Sequence, residues 1–253
     1  MTRLVEEHEL HTIASLVTGE PHVVVLTGAG VSAASGLPTY RGAGGIYENS
    51  DIADLHNASR LPDSLPELWG FWGPRRRTIQ DAQPNAAHLA IAAYQRAAAS
   101  DGRSVTLATQ NIDDLHERGG SPQVAHLHGT LFATRCAMPS CSFRRSPDTE
   151  PYAIPPTCPQ CGGLLRPDVV LFGERLDVEA EWETKRAVRD ADVLVAVGTS
   201  GQVSTAAYYA RSAADVGAVL VTVDPAPLVP EIFQLHVRMH AELALPLLLA
   251  PDA

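Results

Sequence analysis

Four short apolar runs recur along the 253-residue chain and constrain its fold more than any other feature. Because the runs are continuous rather than alternating, they are typical of strands buried on both faces of a parallel sheet. Helical composition separates them at 85–99 and 205–214, and apolar spacing predicts a further helix over 3–17. The alternation predicts an α/β fold, a Rossmann-like doubly wound parallel sheet. The predicted strands are His22–Thr27, Ser104–Thr109, Asp192–Val197 and Ala218–Val223.

Two segments interrupt this alternation and predict a second, smaller domain. Residues 41–83 are rich in Gly, Pro and Trp, and residues 131–166 contain all four cysteines. We expect 41–83 to form a loop and a helical insertion, and 131–166 to form a metal-binding module beside it. The larger, Rossmann-like domain is then expected to consist of 1–40, 84–130 and 167–253.

The composition limits the partners of the chain. Hydrophobic residues make up 45% of it, which is ample for a core, and the formal net charge is -10. This charge disfavours non-specific attraction to nucleic acid or anionic lipid and favours cationic, lysine-bearing protein partners. No apolar run approaches the roughly 20 residues that cross a bilayer, and the first residues lack a secretory pattern. We therefore expect a cytoplasmic protein without membrane contact; its oligomeric state is open and compatible with a monomer.

The four cysteines form two close pairs, which favours a metal site over disulfides. Four residues separate Cys136 from Cys141, two separate Cys158 from Cys161, and sixteen lie between the pairs. Two such knuckles supply the four ligands of a tetrahedral zinc ion. Because four thiolates leave no open coordination position, we expect one structural zinc ion. The alternative is four unrelated buried thiols.

A glycine-rich turn follows the first predicted strand. Gly28, Gly30 and Ala33 fit the pattern Gly-x-Gly-x-x-Ala, with a helix able to start near Ser32. Such glycines let the backbone approach a pyrophosphate at a helix N-terminus. The acidic ribose-binding residue about 20 positions later is not convincingly present, which argues against an ordinary hydride-transfer dehydrogenase. Asp224, after a later strand, is either a ribose ligand or a surface turn cap.

Amide and carboxylate side chains are concentrated just after the strand that ends at Thr109. They are Gln110, Asn111, Asp113 and Asp114. A parallel sheet meets its ligand at this end of its strands, so we expect these groups to face a polar ligand. Asx-turns and helix capping would explain only one or two of them.

Two histidines, His126 and His128, share a face if their segment is extended. The cysteines already complete a zinc site, which leaves a histidine free to act as a general base. The residues alone do not choose between the two.

Together these motifs resemble the sirtuin family, and the resemblance runs from Val25 to about Pro225. Their order and spacing make coincidence implausible. The segments that carry it are Gly28–Arg41, Thr109–His116, Leu127–Gly129, Arg166–Glu174 and Gly198–Ser200.

The resemblance implies a complete NAD site. The diphosphate and the nicotinamide ribose would contact Gly28, Ala29, Gly30, Ala33, Tyr40 and Arg41. The pocket for nicotinamide and its ribose would be lined by Gln110, Asn111, Ile112 and Asp113. The adenosine half would contact Gly198, Thr199, Ser200 and Asp224. An acyl-lysine peptide would pair as a strand with Val170, Phe172, Gly173 and Glu174.

The implied activity is NAD-dependent protein-lysine deacylation. The acyl oxygen would attack the ribose carbon that bears nicotinamide, and His128 would deprotonate a ribose hydroxyl with Asn111 and Asp113 beside it. The products would be lysine, nicotinamide and O-acyl-ADP-ribose. The alternatives are mono-ADP-ribosyl transfer on the same fold and a non-enzymatic NAD-sensing or zinc-mediated interaction module.

The chain departs from the family pattern at several positions. Tyr40 replaces the more usual phenylalanine, and the first cysteine pair is longer than the commoner spacing. Asp224 replaces the usual asparagine. One subgroup of the family removes negatively charged acyl groups and has a tyrosine and, three residues later, an arginine in the corresponding segment. Here Arg75 is kept and Trp72 replaces the tyrosine. We therefore expect deacetylation, with desuccinylation or demalonylation if Arg75 binds an acyl carboxylate rather than being a solvated charge.

Overall fold

The computed structural model describes residues 2–41, 44–143, 145–199 and 204–250. Within these ranges the strands are β1 (Arg3–Val5), β2 (His22–Thr27), β3 (Ser104–Thr109), β4 (Ala125–His126), β5 (Gly129–Cys136), β6 (Ser146–Pro147), β7 (Leu165–Val169), β8 (Val193–Val197), β9 (Val219–Val223) and β10 (Leu235–Val237). The α-helices are α1 (Leu10–Gly19), α2 (Ser50–Leu55), α3 (Leu65–Asp81), α4 (Ala86–Ser100), α5 (Leu115–Arg118), α6 (Val178–Arg189), α7 (Ser204–Asp215) and α8 (Ala241–Leu248). Short 3-10 helices lie at Glu7–Glu9, Ala29–Ser35, Ile46–Glu48 and Ala58–Arg60.

Seven strands form one sheet in the order β1-β10-β9-β8-β2-β3-β4, and each neighbouring pair is parallel. From β2 the chain moves outward to β3 and β4, whereas β8, β9 and β10 extend in the other direction. The strand order therefore reverses between β2 and β8. Ligands of such sheets bind beyond the carboxyl ends of the strands at this reversal. The predicted doubly wound α/β fold is confirmed.

The large sheet is buried on both faces, because its strands alternate between two apolar clusters. Val23 and Val25 of β2 belong to a cluster with α1, α4 and α8. Val24 and Leu26 point to the other face, where the cluster includes residues of α6 and α7. A fully buried valine or leucine contributes about 1.5–3 kcal/mol, so both faces stabilise the sheet. This burial explains why the sequence shows continuous apolar runs.

A second sheet of three antiparallel strands, in the order β6-β5-β7, has a core of its own. Helix α3 packs on it, and Trp72 belongs to one apolar cluster with Leu131 of β5 and Val169 of β7. The expected domain boundaries at 130/131 and 166/167 fall inside β5 and β7. The second sheet therefore continues a few residues into segments that we had expected to belong to the larger domain.

The four predicted strands are confirmed, and two of them start one residue later than expected, at Val193 and Val219. The helix predicted over 3–17 is wrong at its start. Residues Arg3–Val5 form an edge strand that pairs with β10, and α1 begins only at Leu10. The partner of this edge strand lies at the other end of the chain, so local spacing could not reveal it.

Within the described ranges, no helix has both the length and the apolar character that a bilayer-spanning segment needs.

Candidate active site

The predicted binding residues follow five strands of the large sheet at its carboxyl edge. The glycine turn follows β2, the amide and carboxylate cluster follows β3, and His128 lies two residues beyond β4. Gly198 and Thr199 follow β8, and Asp224 follows β9. The reversal of strand order between β2 and β8 places the glycine turn and Gly198 side by side. Ser200 lies outside the described residues.

Three glycines pack backbone against backbone at this reversal. The Gly30 N–H donates to the Gly198 carbonyl oxygen at 3.1 Å. A Cβ on Gly30 would lie 2.6 Å from the Cα of Gly198, and a Cβ on Gly28 would lie 2.8 Å from the Gly198 oxygen. Gly198 also has a φ of +59°. The loop after β8 thus approaches the turn after β2 only because side chains are absent here.

Ser32 connects the glycine turn to the polar cluster after β3. Its hydroxyl donates to the Asp113 carboxylate at 3.1 Å and accepts from the Asn111 amide at 3.2 Å. The same amide donates to the Gly28 carbonyl oxygen at 3.2 Å. Sequence reasoning used Ser32 only as a helix start and missed this role. Its position inside the Gly-x-Gly-x-x-Ala pattern was the available signal.

Asp113 is a buried carboxylate held by several donors. Besides Ser32, the Leu115 backbone N–H donates to it at 3.1 Å. Burial raises the pKa of Asp113, and these hydrogen bonds act in the opposite direction. The carboxylate is therefore fixed in orientation at the edge of the polar cluster.

A cavity of about 350 Å³ lies beside this cluster. Its wall joins residues predicted to bind NAD with residues predicted to bind the acyl group, together with several that sequence reasoning missed. The predicted ones are Ala29, Tyr40, Trp72, Arg75, Asn111 and Asp113. The others include Ser32, Leu37, Ile46, Pro74, Thr78 and Ile79. The cavity thus brings three separate sequence motifs together.

Tyr40 and Arg41, at the end of the glycine-turn motif, are placed differently. Tyr40 lines the cavity, and burial raises the pKa of its phenol well above the usual range, so the hydroxyl stays neutral. Arg41 and Ala33 are both exposed.

Ile112, predicted to line the nicotinamide pocket, belongs to the apolar cluster of the second sheet. Its carbonyl oxygen accepts from the Leu131 N–H at 2.9 Å.

His128 is oriented by the backbone of the polar cluster. Its Nδ1 lies 3.0 Å from the Gln110 carbonyl oxygen, so Nδ1 carries the proton and Nε2 keeps its lone pair. Nε2 lies 3.5 Å from the Thr205 hydroxyl oxygen. Burial lowers the pKa of His128, which favours a neutral ring. His128 is not among the residues that line the 350 Å³ cavity.

Two buried polar atoms at this edge are available to a polar ligand. The Gln110 Oε1 and Thr199 Oγ1 atoms are buried without a hydrogen-bond partner among the described residues. Leaving such groups unsatisfied costs about 1–3 kcal/mol each, which a bound ligand would recover. Asp224 is partly engaged, since one of its carboxylate oxygens accepts from the Ala226 N–H at 2.8 Å. This bond is the turn cap that the sequence left as an alternative.

Arg75 and Trp72 lie together on α3 in the wall of the cavity. The Arg75 guanidinium stacks 3.5 Å from the centre of the Phe71 ring and donates to the Phe71 carbonyl oxygen at 2.9 Å. Among the described residues it forms no salt bridge. Trp72 is 2% exposed, and its Nε1 has no partner within the described part of the chain.

The predicted peptide-binding segment is partly paired within the chain. The Val170 N–H donates to the His128 oxygen at 2.9 Å. Phe172 donates to the His56 oxygen at 2.8 Å and accepts from the Ala58 N–H at 3.0 Å. The backbone N–H and the carbonyl oxygen of Phe172 are therefore both engaged within the chain. A peptide strand would pair through the remaining carbonyl oxygens or through Gly173, which has a φ of +88°.

Glu174 turns its carboxylate inward rather than toward a substrate. It accepts from the buried Arg166 guanidinium at 2.6 and 3.0 Å, from Arg135 at 3.2 Å and from the Leu171 N–H at 2.8 Å. These partners lower the pKa of Glu174. Its side chain therefore fixes the turn that follows β7.

The four cysteines fit a single tetrahedral metal ion. Their sulfur atoms all lie within 4.8 Å of one another, with Cys136 and Cys161 at 3.5 Å and Cys141 and Cys158 at 3.9 Å. Zinc–sulfur bonds of about 2.3 Å in a tetrahedron place sulfurs about 3.8 Å apart. Disulfide bonds are excluded by these distances. The spacing thus fits the predicted zinc ion.

Backbone N–H groups support these sulfurs. Met138 donates to Cys136, Phe143 to Cys141 and Gly163 to Cys161, each at 3.4 Å. Donors of this kind stabilise thiolates, which is the form that binds zinc.

The fold and the site define a dinucleotide-binding α/β protein with a four-cysteine zinc module. Residues 28–205 match the Sir2 family. The chain is 43% identical to "NAD-dependent protein deacylase 1" of Pseudomonas aeruginosa, covering 87% of this chain and 89% of the relative. It is 38% identical to "NAD-dependent protein deacylase sirtuin-5, mitochondrial" of Danio rerio, covering 78% and 71%. The chain belongs to the Sir2 family, so the sirtuin resemblance is confirmed.

Solved structures agree in fold. A crystal structure of a Sir2 homologue–NAD complex has a TM-score of 0.83 and 36% identity, covering 98% of this chain and 93% of that one. A complex of ADP-ribose with a mutant Sir2 homologue has a TM-score of 0.85 and 35% identity, covering 97% and 95%. The ligands named for these two complexes are NAD and ADP-ribose.

Proposed function

We propose that this chain is an NAD-dependent protein-lysine deacylase that forms deacylated lysine, nicotinamide and O-acyl-ADP-ribose. The observation that carries the proposal is the cavity whose wall includes both Asn111 and Asp113, next to the glycine turn, and Trp72 and Arg75 on α3. A nucleotide and an acyl chain would meet there. The names of the relatives support deacylation rather than mono-ADP-ribosyl transfer.

Bound NAD would supply the ribose carbon that the acyl oxygen attacks, with nicotinamide as the leaving group, and the ribose hydroxyl that receives the acyl group. One water molecule would be consumed as the lysine amine is released. The chain's own groups would bind and orient it. Asn111 and Asp113, held together by Ser32, would position nicotinamide and its ribose. Gly28 and Gly30 would admit the diphosphate, and Thr199, Ser200 and Asp224 would contact the adenosine half.

His128 would act as the general base. Its Nδ1 proton is held by the Gln110 carbonyl oxygen, so Nε2 is the atom that accepts the ribose hydroxyl proton. The lowered pKa of His128 keeps this atom unprotonated at neutral pH. The Thr205 hydroxyl lies 3.5 Å from Nε2, and the ribose hydroxyl would replace it as the partner of this nitrogen.

For the acyl group, we propose that the cavity accepts chains that end in a carboxylate as well as acetyl. Arg75 supplies a cation that has no acidic partner among the described residues, and Trp72 supplies a buried N–H donor. The indole lacks a phenolic oxygen, but its Nε1 provides a hydrogen bond in its place. A succinyl or malonyl carboxylate would satisfy both groups.

The partners would be acylated-lysine proteins, bound as an added strand along the segment from Val170 to Glu174. We also propose that the chain is divided into an NAD-binding domain and a smaller zinc-binding domain, and that this division separates NAD from the peptide substrate. The separate core of the second sheet supports it.

Incubating the protein with NAD and matched acetyl- and succinyl-lysine peptides tests the proposal. Mass spectrometry should detect nicotinamide, free lysine peptide and O-acyl-ADP-ribose in equal amounts. Nicotinamide with an ADP-ribosylated protein and no acyl-ADP-ribose would support the alternative reaction. Absence of nicotinamide release would refute an NAD-consuming enzyme.

A further inference from the structure

His126 has hydrogen-bond acceptors at both ring nitrogens. Its Nδ1 lies 3.1 Å from the Asn111 carbonyl oxygen, and its Nε2 lies 2.6 Å from a carboxylate oxygen of Glu117. A carbonyl oxygen and a carboxylate oxygen both accept, so each ring nitrogen donates. Only the doubly protonated imidazolium has two N–H donors. For His128, by contrast, the second contact is the Thr205 hydroxyl, 3.5 Å from Nε2, which can donate to an unprotonated nitrogen.

The surroundings of His126 favour this charge. The His126 side chain is 13% exposed, and the Glu117 side chain is 43% exposed. Glu117 raises the pKa of His126, with a further contribution from Asp113, against the effect of burial. His116, on α5, is the nearby imidazole whose own pKa burial lowers well below its usual range. Helix α6 packs against β4, the strand that carries His126. Its Ala180 belongs there to the same apolar cluster as Ala125 of β4.

His126 acts on the polar cluster of the NAD site through two of its residues, Asn111 and Asp113. His126 holds the backbone of Asn111, whose side chain contacts Gly28 and Ser32. Its positive charge also lowers the pKa of the buried Asp113 carboxylate, which desolvation raises. One imidazolium thus affects both the position of Asn111 and the ionisation of Asp113.

We infer that His126 is a positioning residue, an imidazolium that Glu117 holds against the Asn111 carbonyl oxygen to fix the pocket for nicotinamide and its ribose. The inference rests on the proposed function, because it takes Asn111 and Asp113 to be the groups that contact NAD. It assigns His126 and His128 opposite tasks: the first keeps its protons, and the second takes one.

The charge on His126 is measured directly by two-dimensional 1H–15N NMR of the histidine-labelled protein. At pH 7 both His126 nitrogens should resonate as imidazolium, with assignment by loss of the signals in His126→Gln. In Glu117→Gln the partner carboxylate is gone, so the ring should titrate at lower pH. A single neutral tautomer for His126 at pH 7 in the unsubstituted protein would overturn the inference.

The effect on the site is measured by NAD binding and by kinetics. Both His126→Gln and Glu117→Gln should raise the KM for NAD and the inhibition constant of nicotinamide several-fold while the peptide KM changes less than twofold. In Glu117→Gln the rise in the NAD KM should set in at lower pH than in the unsubstituted protein. Unchanged NAD parameters in both variants would refute a positioning role.

The two arms separate this inference from the proposed function. If the protein shows no deacylation at all, calorimetric NAD binding still reports on the pocket, and the NMR arm still reports the charge on His126. The surface substitution His11→Gln on α1 serves as the matched control and should leave the NAD KM and the His126 signals unchanged.

Discussion

The Nδ1 atom of His128 lies 3.0 Å from the backbone carbonyl oxygen of Gln110. Since a carbonyl oxygen only accepts, this contact places the ring proton on Nδ1 and leaves the lone pair on Nε2. The pKa of His128 is lowered by burial, so the ring is neutral near pH 7. The backbone that carries the polar cluster therefore also sets the tautomer that a general base needs.

Replacing His128 with alanine should reduce kcat by about 10²- to 10⁴-fold, the usual contribution of a general base. NAD affinity should change far less, because Asn111, Asp113 and the glycine turn remain. In the unsubstituted protein the rate should fall in acid with a midpoint below the ordinary histidine pKa of about 6.5, since only the neutral ring accepts a proton. Steady-state kinetics between pH 5 and 9 measure both effects. Near-normal turnover of the alanine variant would remove His128 from catalysis.

Much of this site could be predicted because its motifs are local. The glycine turn, the polar residues after β3 and the cysteine pairs each lie within a few residues of one another. The contacts between motifs were harder, because they depend on strands that are distant in sequence. Ser32 bridges Asn111 and Asp113 only once β2 and β3 are neighbours, and β1 pairs with β10 from the opposite end of the chain.

The sequence also could not distinguish His126 from His128, since both are imidazoles on one short segment. The structure separates them by their partners. Glu117 occupies the second nitrogen of His126, whereas Nε2 of His128 has only the distant Thr205 hydroxyl. The sequence likewise could not show that the Glu174 side chain binds Arg166, because a motif gives a residue's position in the chain but not the partners of its side chain.

Exchanging Arg75 for methionine should affect acyl preference. The methionine retains much of the apolar packing on Phe71 but removes the cation in the cavity wall. We expect kcat/KM for a succinyl-lysine peptide to fall at least tenfold and that for the acetyl peptide less than threefold. Arg77→Met on the exposed side of the same helix is the control and should alter neither. Equal losses on both peptides would show that Arg75 does not contact the acyl chain.

Exchanging Glu174 for glutamine should weaken peptide binding. The variant loses the charge that joins Arg166, Arg135 and the Leu171 N–H, so the turn after β7 is no longer fixed. We expect the peptide KM to rise several-fold, with little change in the NAD KM, and stability to fall by about 2–4 kcal/mol. The exposed Glu179→Gln is the control. A larger change in the NAD KM than in the peptide KM would contradict this role.

The stability effect of Glu174 should depend on pH. The pKa of Glu174 is lower in the folded protein than in the unfolded chain. Its contribution to stability is therefore complete at a pH above the pKa of the unfolded chain, and it is lost as the pH falls through the pKa of the folded protein. The stability difference between the unsubstituted protein and Glu174→Gln should therefore shrink in acid. Denaturant unfolding at pH 7 and at pH 4 measures it, and a difference that grows in acid would show the opposite linkage.

Alanine at Gly198 should disrupt the junction of β2 and β8. A Cβ there would lie 2.6 Å from backbone atoms of Gly30 and Val31, at a φ of +59°. Gly217 offers a matched control, because it has a φ of +87° with nothing within 4 Å of a Cβ. Gly217→Ala should cost only the left-handed backbone strain of about 1–2 kcal/mol. Gly198→Ala should lower the stability by more than Gly217→Ala does. It should also weaken NAD binding at least tenfold, measured by calorimetry. Equal effects of the two substitutions would show that close packing at Gly198 is unimportant.

Removing zinc should affect the peptide site as well as the metal module. Arg135 directly precedes Cys136 on β5, and it pairs with Asp168 of β7 and with Glu174. Because structural zinc contributes about 10–16 kcal/mol in small modules, a chelator should unfold the three-stranded sheet and release Arg135 from Glu174. The large sheet has its own two apolar clusters and should stay folded.

Hydrogen exchange with and without chelator, on protein with measured zinc content, distinguishes the two regions. Loss of protection should appear in β5, in β7 and in the segment from Val170 to Glu174, while β2, β3, β8 and β9 keep theirs. Added zinc should restore protection, because the cysteines remain reduced. If β5 and β7 lost protection while the segment after them did not, the contacts of Arg135 would not couple the metal to the peptide site. In that case Arg166 alone, with its two short contacts to Glu174, would be enough to hold the turn.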